Sequence, residues 1–97
     1  MRVSRLNTNR FEVLNRGILE YSGRIRSLQD ELQTIVNELA RTQEDYQKGK
    51  IPRDSFRNNT RKFSKDRRRL EREINNEVRG AVGVITQAKK LVRLQRV

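Results

Sequence analysis

The sequence contains no cysteine and no histidine, and these two absences exclude several kinds of functional site. Without cysteine a chain forms neither disulfides nor zinc thiolate sites, and without histidine it lacks the side chain best suited to proton transfer near neutral pH. The clustered carboxylates of Glu71, Glu73 and Glu77 lie among arginines, where ion pairing is their expected role. We therefore expect no enzymatic activity, no metal and no cofactor.

Long apolar runs and proline are also scarce. No stretch of about 18 apolar residues is present, and residues 1–10 lack the apolar run of a secretory signal, so we expect a cytoplasmic protein. Hydrophobic residues make up 33% of the chain and charged residues 36%, which is too little apolar surface for a wide globular core. The single proline and the lack of period-two alternation favour an all-α chain.

The first half of the chain carries a heptad pattern. Apolar or near-apolar residues recur at alternating steps of three and four, which predicts one long helix whose apolar seam packs against another helix. Asn9 and Glu12 resemble a capping box, so the helix is expected to run from about residue 10 to about residue 48. The predicted seam residues are Phe11, Leu14, Ile18, Tyr21, Ile25, Leu28, Leu32, Ile35, Leu39, Thr42 and Tyr46.

The second half predicts a turn at residues 49–51 and a second helix over about residues 52–95. Gly49 is typical of a left-handed helix cap, and Pro52 is typical of a helix start. Two consecutive steps of four after Leu70 indicate a stutter in the seam. Gly80 and Gly83 leave two alternatives, either a break near residues 80–83 or a close approach of another backbone. The predicted seam residues are Phe56, Thr60, Phe63, Arg67, Leu70, Ile74, Val78, Ala81, Ile85, Ala88 and Val92.

Together these patterns predict a long antiparallel coiled-coil helical hairpin that forms a single domain, residues 1–97. Opposed residues should have numbers that sum to about 100. The open end of such a hairpin carries more apolar residues than one seam buries, so we expect it to bind partner helices, either of a second copy in a four-helix bundle or of another protein. The predicted partner-binding residues are Leu6, Val13, Leu19, Val82, Val84, Leu91 and Leu94.

The net charge of +11 lies entirely in the second half of the chain. Cross-helix pairing with the acidic stretch at residues 27–47, together with pairing within each helix, is expected to neutralise part of the basic stretch at residues 48–72. A basic surplus remains, and its residues recur every three or four positions along one helix face. Such a stripe fits an anionic membrane surface or nucleic acid. Its members are Arg57, Arg61, Lys65, Arg68 and Arg72.

The residues around the turn carry a family resemblance. Gly49, Ile51 and Phe56, followed by Arg61 and the triplet of Phe63, Ser64 and Lys65, resemble the steadiness-box hairpin of the Vps-type subunit of ESCRT-I. The basic two-armed hairpin is similar, in architecture only, to the core of ESCRT-III subunits. Both resemblances imply an interaction protein of a membrane-remodelling or sorting system without catalytic residues.

These observations predict a non-catalytic assembly or scaffold subunit, in an ESCRT-like complex, that is cytoplasmic or peripheral at a membrane. Its expected partners are protein helices, or a second copy of itself, together with an anionic membrane surface. The alternative is a basic helical protein that binds nucleic acid or another polyanion. The lack of exposed aromatic residues for base stacking and of glycine-rich phosphate loops places that alternative second.

Overall fold

The computed structural model describes residues 5–95 of the chain, and the side chains of residues 9–94. Two α-helices of equal length follow one another, α1 at Arg5–Gln47 and α2 at Arg53–Gln95. No strand is present in residues 5–95. The predicted all-α helical hairpin is therefore confirmed.

Helix α1 begins earlier than the capping pattern predicts. Asn9 lies inside the helix, which starts at Arg5, so the predicted cap at Asn9 is wrong. Asn and Thr are less favourable in a helix than alanine by only about 0.7 kcal/mol or less, which is too little to stop a helix between arginine and leucine residues that favour one. A capping pattern thus shows that a helix can begin at a residue, but not that the helix does begin there.

The turn between the helices contains the left-handed glycine cap that the sequence predicts. Gly49 has a positive φ of 72°, the left-handed conformation that a residue without Cβ adopts freely. The amide of Gly49 donates to the carbonyl of Tyr46 at 3.0 Å, and that of Lys50 donates to the carbonyl of Asp45 at 2.8 Å. These two bonds form a Schellman motif. The Pro52 carbonyl then accepts from the amide of Phe56 at 3.1 Å, which starts α2.

The chain divides into two compact units. The turn unit consists of Ser27–Ile74, and the terminal unit consists of Met1–Arg26 together with Asn75–Val97. The helices run antiparallel within each unit. In the turn unit the rings of Tyr46 and Phe56 stack with centroids 4.3 Å apart. In the terminal unit Arg24 contacts Glu77. The numbers in these pairs sum to 102 and 101, close to the predicted hundred.

The turn unit contains the most completely buried side chain. Leu70 is 1% exposed, and Thr42, the weak position of the first heptad pattern, is 6% exposed. The rings of Tyr46 and Phe56 lie nearly parallel, at 15°, so the aromatic anchor at the start of α2 packs face to face on the end of α1. The core of this unit is thus a narrow seam of single side chains, as a two-helix structure requires.

The seam of α2 contains no stutter. Strict steps of four and three from Phe56 reach less exposed residues through the helix, except at the exposed Arg67, and Glu77 occupies the position between Ile74 and Ala81. The predicted assignment of Val78, Ile85 and Val92 to the seam is wrong, because all three are exposed. The helix is also unbroken at Gly80 and Gly83. The observed seam is Phe56, Thr60, Phe63, Leu70, Ile74, Glu77, Ala81, Val84, Ala88 and Leu91, and the exposed Arg67 occupies the remaining heptad position.

A carboxylate fits in the seam at Glu77 because a cation from α1 meets it there. Arg24 Nε donates to Glu77 Oε2 at 2.9 Å, and the Arg24 guanidinium also lies 4.6 Å from the centroid of the Tyr21 ring. The hydrogen bond to Glu77 raises the pKa of Arg24 above its ordinary value. The Tyr21 ring in turn lies over Gly80, where an added Cβ would be 2.5 Å from it. Gly80 therefore makes room for this cluster.

Candidate helix-docking surfaces

The terminal unit has an apolar stripe on α2 beside the seam. Its residues follow each seam position by one and repeat at the same steps of four and three, so they lie on one track along the helix. The four apolar members are between 37% and 55% exposed. We call this track the outer stripe, and its members are Val78, Val82, Ile85, Lys89 and Val92.

The outer stripe borders a groove between the two helices of the terminal unit. The floor of this groove, the Ile85 groove, is formed by Ile18, Ile85, Ala88 and Val92. Lys89 and Arg93 complete its lining. An apolar floor with a cationic rim is the form of a surface that receives the apolar face of an amphipathic helix.

A second groove lies on another side of the same unit. This Val13 groove is lined by Val13, Leu14, Leu91 and Leu94, with cationic side chains again at its rim. Val92 and Leu94 are two residues apart, which places them about 160° apart around a helix. Their two grooves share no lining residue. The terminal unit therefore exposes apolar surface on two sides, each bordered by basic residues.

The structure separates the predicted partner-binding residues into three groups. Val13, Leu19, Val82 and Leu94 are each more than half exposed. Leu91 is 8% exposed and Val84 is half-buried at a heptad position of the seam, and Leu91 also lines the Val13 groove, so their partner-binding role stays a prediction. Leu6 lies in α1, but its side chain lies outside the described residues.

The exposed members of that set do not form one patch. Val13 and Leu19 are six residues apart, so they project about 120° apart around α1. Three residues that the sequence pattern assigns to the seam, Val78, Ile85 and Val92, belong to the exposed surface instead. These three residues can be identified from the sequence by counting strict heptads from Leu70 and accepting Glu77 as a seam residue.

The predicted basic stripe is exposed along α2 of the turn unit. All five of its residues are exposed, and none forms an ion pair with a described carboxylate. Arg57 and Arg61 also line a groove with the stacked rings of Tyr46 and Phe56. The stripe consists of Arg57, Arg61, Lys65, Arg68 and Arg72.

Cross-helix pairing does not neutralise the basic stretch of the turn unit. The ion pairs that the structure describes there are local, linking Lys48 to Glu44, Arg67 to Glu71, and Arg69 to Glu73. Each joins residues four apart, so the expected within-helix pairing is present, and no ion pair among the described residues of this unit links the two helices. The seam carries the helix contact in this unit, and the charged side chains extend into solvent.

The net positive charge is distributed between the two structural units differently from its distribution between the two halves of the sequence. The terminal unit contains eleven Lys or Arg and three Asp or Glu, a net charge of +8. The turn unit contains twelve and nine, a net charge of +3. The larger surplus of positive charge therefore occurs in the unit that exposes most of the apolar side chains.

Comparison of the chain with family models, with curated proteins and with solved structures finds no match. The resemblance of the turn residues to ESCRT hairpins thus stays a prediction that rests on those residues alone. Within residues 5–95, neither helix has a segment apolar enough to cross a membrane.

Proposed function

We propose that this chain is a non-catalytic assembly subunit whose terminal unit binds a helix in the Ile85 groove, along the outer stripe. The observation that carries the proposal is the second heptad track on α2. One track packs on α1, and the track beside it exposes Val78, Val82, Ile85 and Val92 to solvent. A helix with two adjacent apolar tracks is typical of bundles of three or more helices, because each track buries against a different neighbour.

A hairpin without a partner would leave the apolar side chains of the outer stripe in water, which is unfavourable. Burying apolar surface contributes roughly 25 cal/mol per Å², so exposed valine and isoleucine side chains at heptad spacing favour association. Contiguous apolar patches of this kind are uncommon on soluble monomers and mark interaction sites. Assembly of a sorting or remodelling complex is the setting that the turn residues predict, and helix docking is the physical step such assembly needs.

The test replaces two residues of the outer stripe. Val78→Gln with Ile85→Gln should abolish association, either with a partner helix or between copies, while helix content by circular dichroism stays unchanged because neither residue belongs to the seam. Light scattering at two salt concentrations measures the mass. The matched control is Val36→Gln, an equally exposed valine of the turn unit, which should change nothing. A wild-type chain that stays monomeric, binds no helix and binds no hydrophobic dye would refute the proposal.

A second candidate function, binding of a polyanion, is favoured by the unpaired basic stripe of the turn unit. Polyanion binding through such a stripe is electrostatic, so it should weaken as salt rises. Replacing the five residues with Gln should reduce binding to anionic vesicles or nucleic acid and remove its salt dependence, without changing helix docking. Sequence-selective binding of DNA or RNA at physiological salt would make this function the primary one.

A further inference from the structure

We infer that the helix received by the Ile85 groove is an acidic amphipathic helix of a different protein. This inference rests on the proposed function and names the chemistry of the partner. Two basic residues, Lys89 and Arg93, line the groove with the apolar parts of their side chains, and both are exposed without an ion pair to a described carboxylate. The groove is thus apolar in its floor and uncompensated in its charge.

The position of Lys89 makes charge part of the recognition. Lys89 lies on the outer stripe itself, four residues after Ile85 and three before Val92. A lysine within an apolar heptad track selects the partner, because a docked helix must supply a carboxylate there or leave a cation partly desolvated. Arg93 lies one turn further along α2 and extends the same requirement.

A second copy of the chain fits this groove poorly. Its terminal unit would bring a net charge of +8 against +8, and like charges facing each other across an interface disfavour association. The acidic stretch of a second copy, residues 27–47, has the right charge but little apolar surface. The only large hydrophobic side chains that it exposes are Val36 and Tyr46, and the Tyr46 ring already stacks on Phe56.

A flat anionic membrane also fits less well than a helix. An amphipathic surface that lies on a bilayer presents its apolar side chains on one face. The terminal unit exposes apolar side chains on two sides, since Val92 and Leu94 belong to different grooves. A bilayer plane covers one of these sides and leaves the other in water. A helix covers a single groove along its length and matches the heptad spacing of the outer stripe.

The partner is therefore a helix with apolar residues at positions i, i+3 or i+4, and i+7, flanked by Asp or Glu. The apolar row packs on Ile85 and Val92, and the carboxylates meet Lys89 and Arg93. Opposite charges at such flanking positions select the partner and its orientation in coiled coils. The contribution of charge should decrease as salt screens it.

Two designed peptides test the inference. Each has about three heptads with leucine at the a and d positions, and one carries Glu at e and g where the other carries Lys. Fluorescence anisotropy measures binding of each labelled peptide to the full chain, at concentrations where the peptide alone is monomeric. We expect the Glu peptide to bind at least about tenfold more tightly at low salt, with a smaller difference at high salt.

Charge-reversal variants locate the preference. Lys89→Glu with Arg93→Glu should reverse the preference toward the Lys peptide. The matched control, Arg41→Glu with Lys62→Glu, changes the net charge equally on exposed residues of the turn unit that lie outside the basic stripe and the grooves described above, and it should retain the preference for the Glu peptide. Circular dichroism checks that both variants keep the helix content of the wild type.

Four outcomes would overturn the inference, and they differ in what they say about the proposed function. Equal binding of both peptides would refute the charge preference but keep helix docking. Loss of the preference in the control variant as well would assign it to net charge rather than to the groove. Self-association without peptide binding would make a second copy the occupant. Failure to bind either peptide, in a chain that stays monomeric, would refute helix docking itself.

Discussion

On the same track of α2, the turn unit carries mainly charged residues and the terminal unit carries mainly apolar residues. The track lies one residue after each seam position. In the turn unit it carries Arg57, Arg61 and Arg68, and in the terminal unit it carries Val78, Ile85 and Val92. The heptad seam beside it runs through both units, with one exposed position at Arg67. The seam residues thus specify the contact between the two helices. The residues one position later specify, independently, whether the neighbouring surface is charged or apolar.

The exposed side chains show the same contrast. Ten large hydrophobic side chains are exposed among the described residues, and eight of them belong to the terminal unit. The turn unit instead buries Leu70 completely and surrounds its seam with polar and charged residues. The turn unit thus contains the most completely buried side chain, whereas the terminal unit exposes most of the large hydrophobic side chains.

The largest effect that tests this comparison is expected at Leu70. Leu70→Ala should lower the free energy of unfolding by about 3 kcal/mol, because a fully buried leucine loses its packing and leaves a cavity. Urea denaturation followed by circular dichroism measures the change. Leu94→Ala is the matched control in the terminal unit, where the side chain is 71% exposed, and it should leave the denaturation midpoint unchanged. Equal losses in the two variants would show that Leu70 is not buried in solution.

The sequence predicts the fold well where apolar residues mark every heptad position. The pattern from Leu14 to Thr42 locates the seam of α1, and Gly49 locates the turn. It fails in α2 after Ile74, because the seam position there is Glu77. A rule that requires an apolar residue at each seam position shifts to Val78 and predicts a stutter. The error arises because the carboxylate is compensated by Arg24, which is distant in sequence.

The candidate docking surface depends on that same position. Once Glu77 is accepted in the seam, heptad counting places Val84 and Leu91 inside and Val78, Ile85 and Val92 outside. The sequence thus predicts that the terminal unit exposes an apolar surplus and identifies Val13, Leu19, Val82 and Leu94, but it misses Val78, Ile85 and Val92. The grooves could not be predicted, because their linings combine residues of both helices, such as Ile18 with Val92.

A medium effect is expected at the glycines of the terminal unit. Gly83→Ala should raise the free energy of unfolding by about 1 kcal/mol, because alanine favours the helix and nothing lies within 4 Å of the added methyl group. Gly80→Ala should gain no stability, because the methyl group would meet the Tyr21 ring at 2.5 Å and displace it. Thermal unfolding of both variants measures the difference. Equal stabilisation by both substitutions would mean that Tyr21 packs elsewhere in solution.

The smallest effect concerns the ion pair that replaces apolar packing at Glu77. A double-mutant cycle with Arg24→Gln and Glu77→Gln should give a small favourable coupling, because both side chains are partly exposed and solvent screens their attraction. The matched cycle at Arg69 and Glu73 has the same 2.9 Å contact within one helix of the turn unit. Its coupling should be about 0.3 kcal/mol.

The two cycles differ in what they report, because only the pair of Arg24 and Glu77 links the two helices. Raising the salt concentration should reduce both couplings. The substitution Glu77→Leu tests whether residue 77 lies in the seam, because it supplies the apolar residue that the heptad lacks at this position. If Glu77 lies in the seam, this variant should be at least as stable as the wild type, because a well-packed leucine compensates for the lost pair. A clear loss of stability with Glu77→Leu would place residue 77 outside the seam, and the outer stripe would then have to be reassigned by one position.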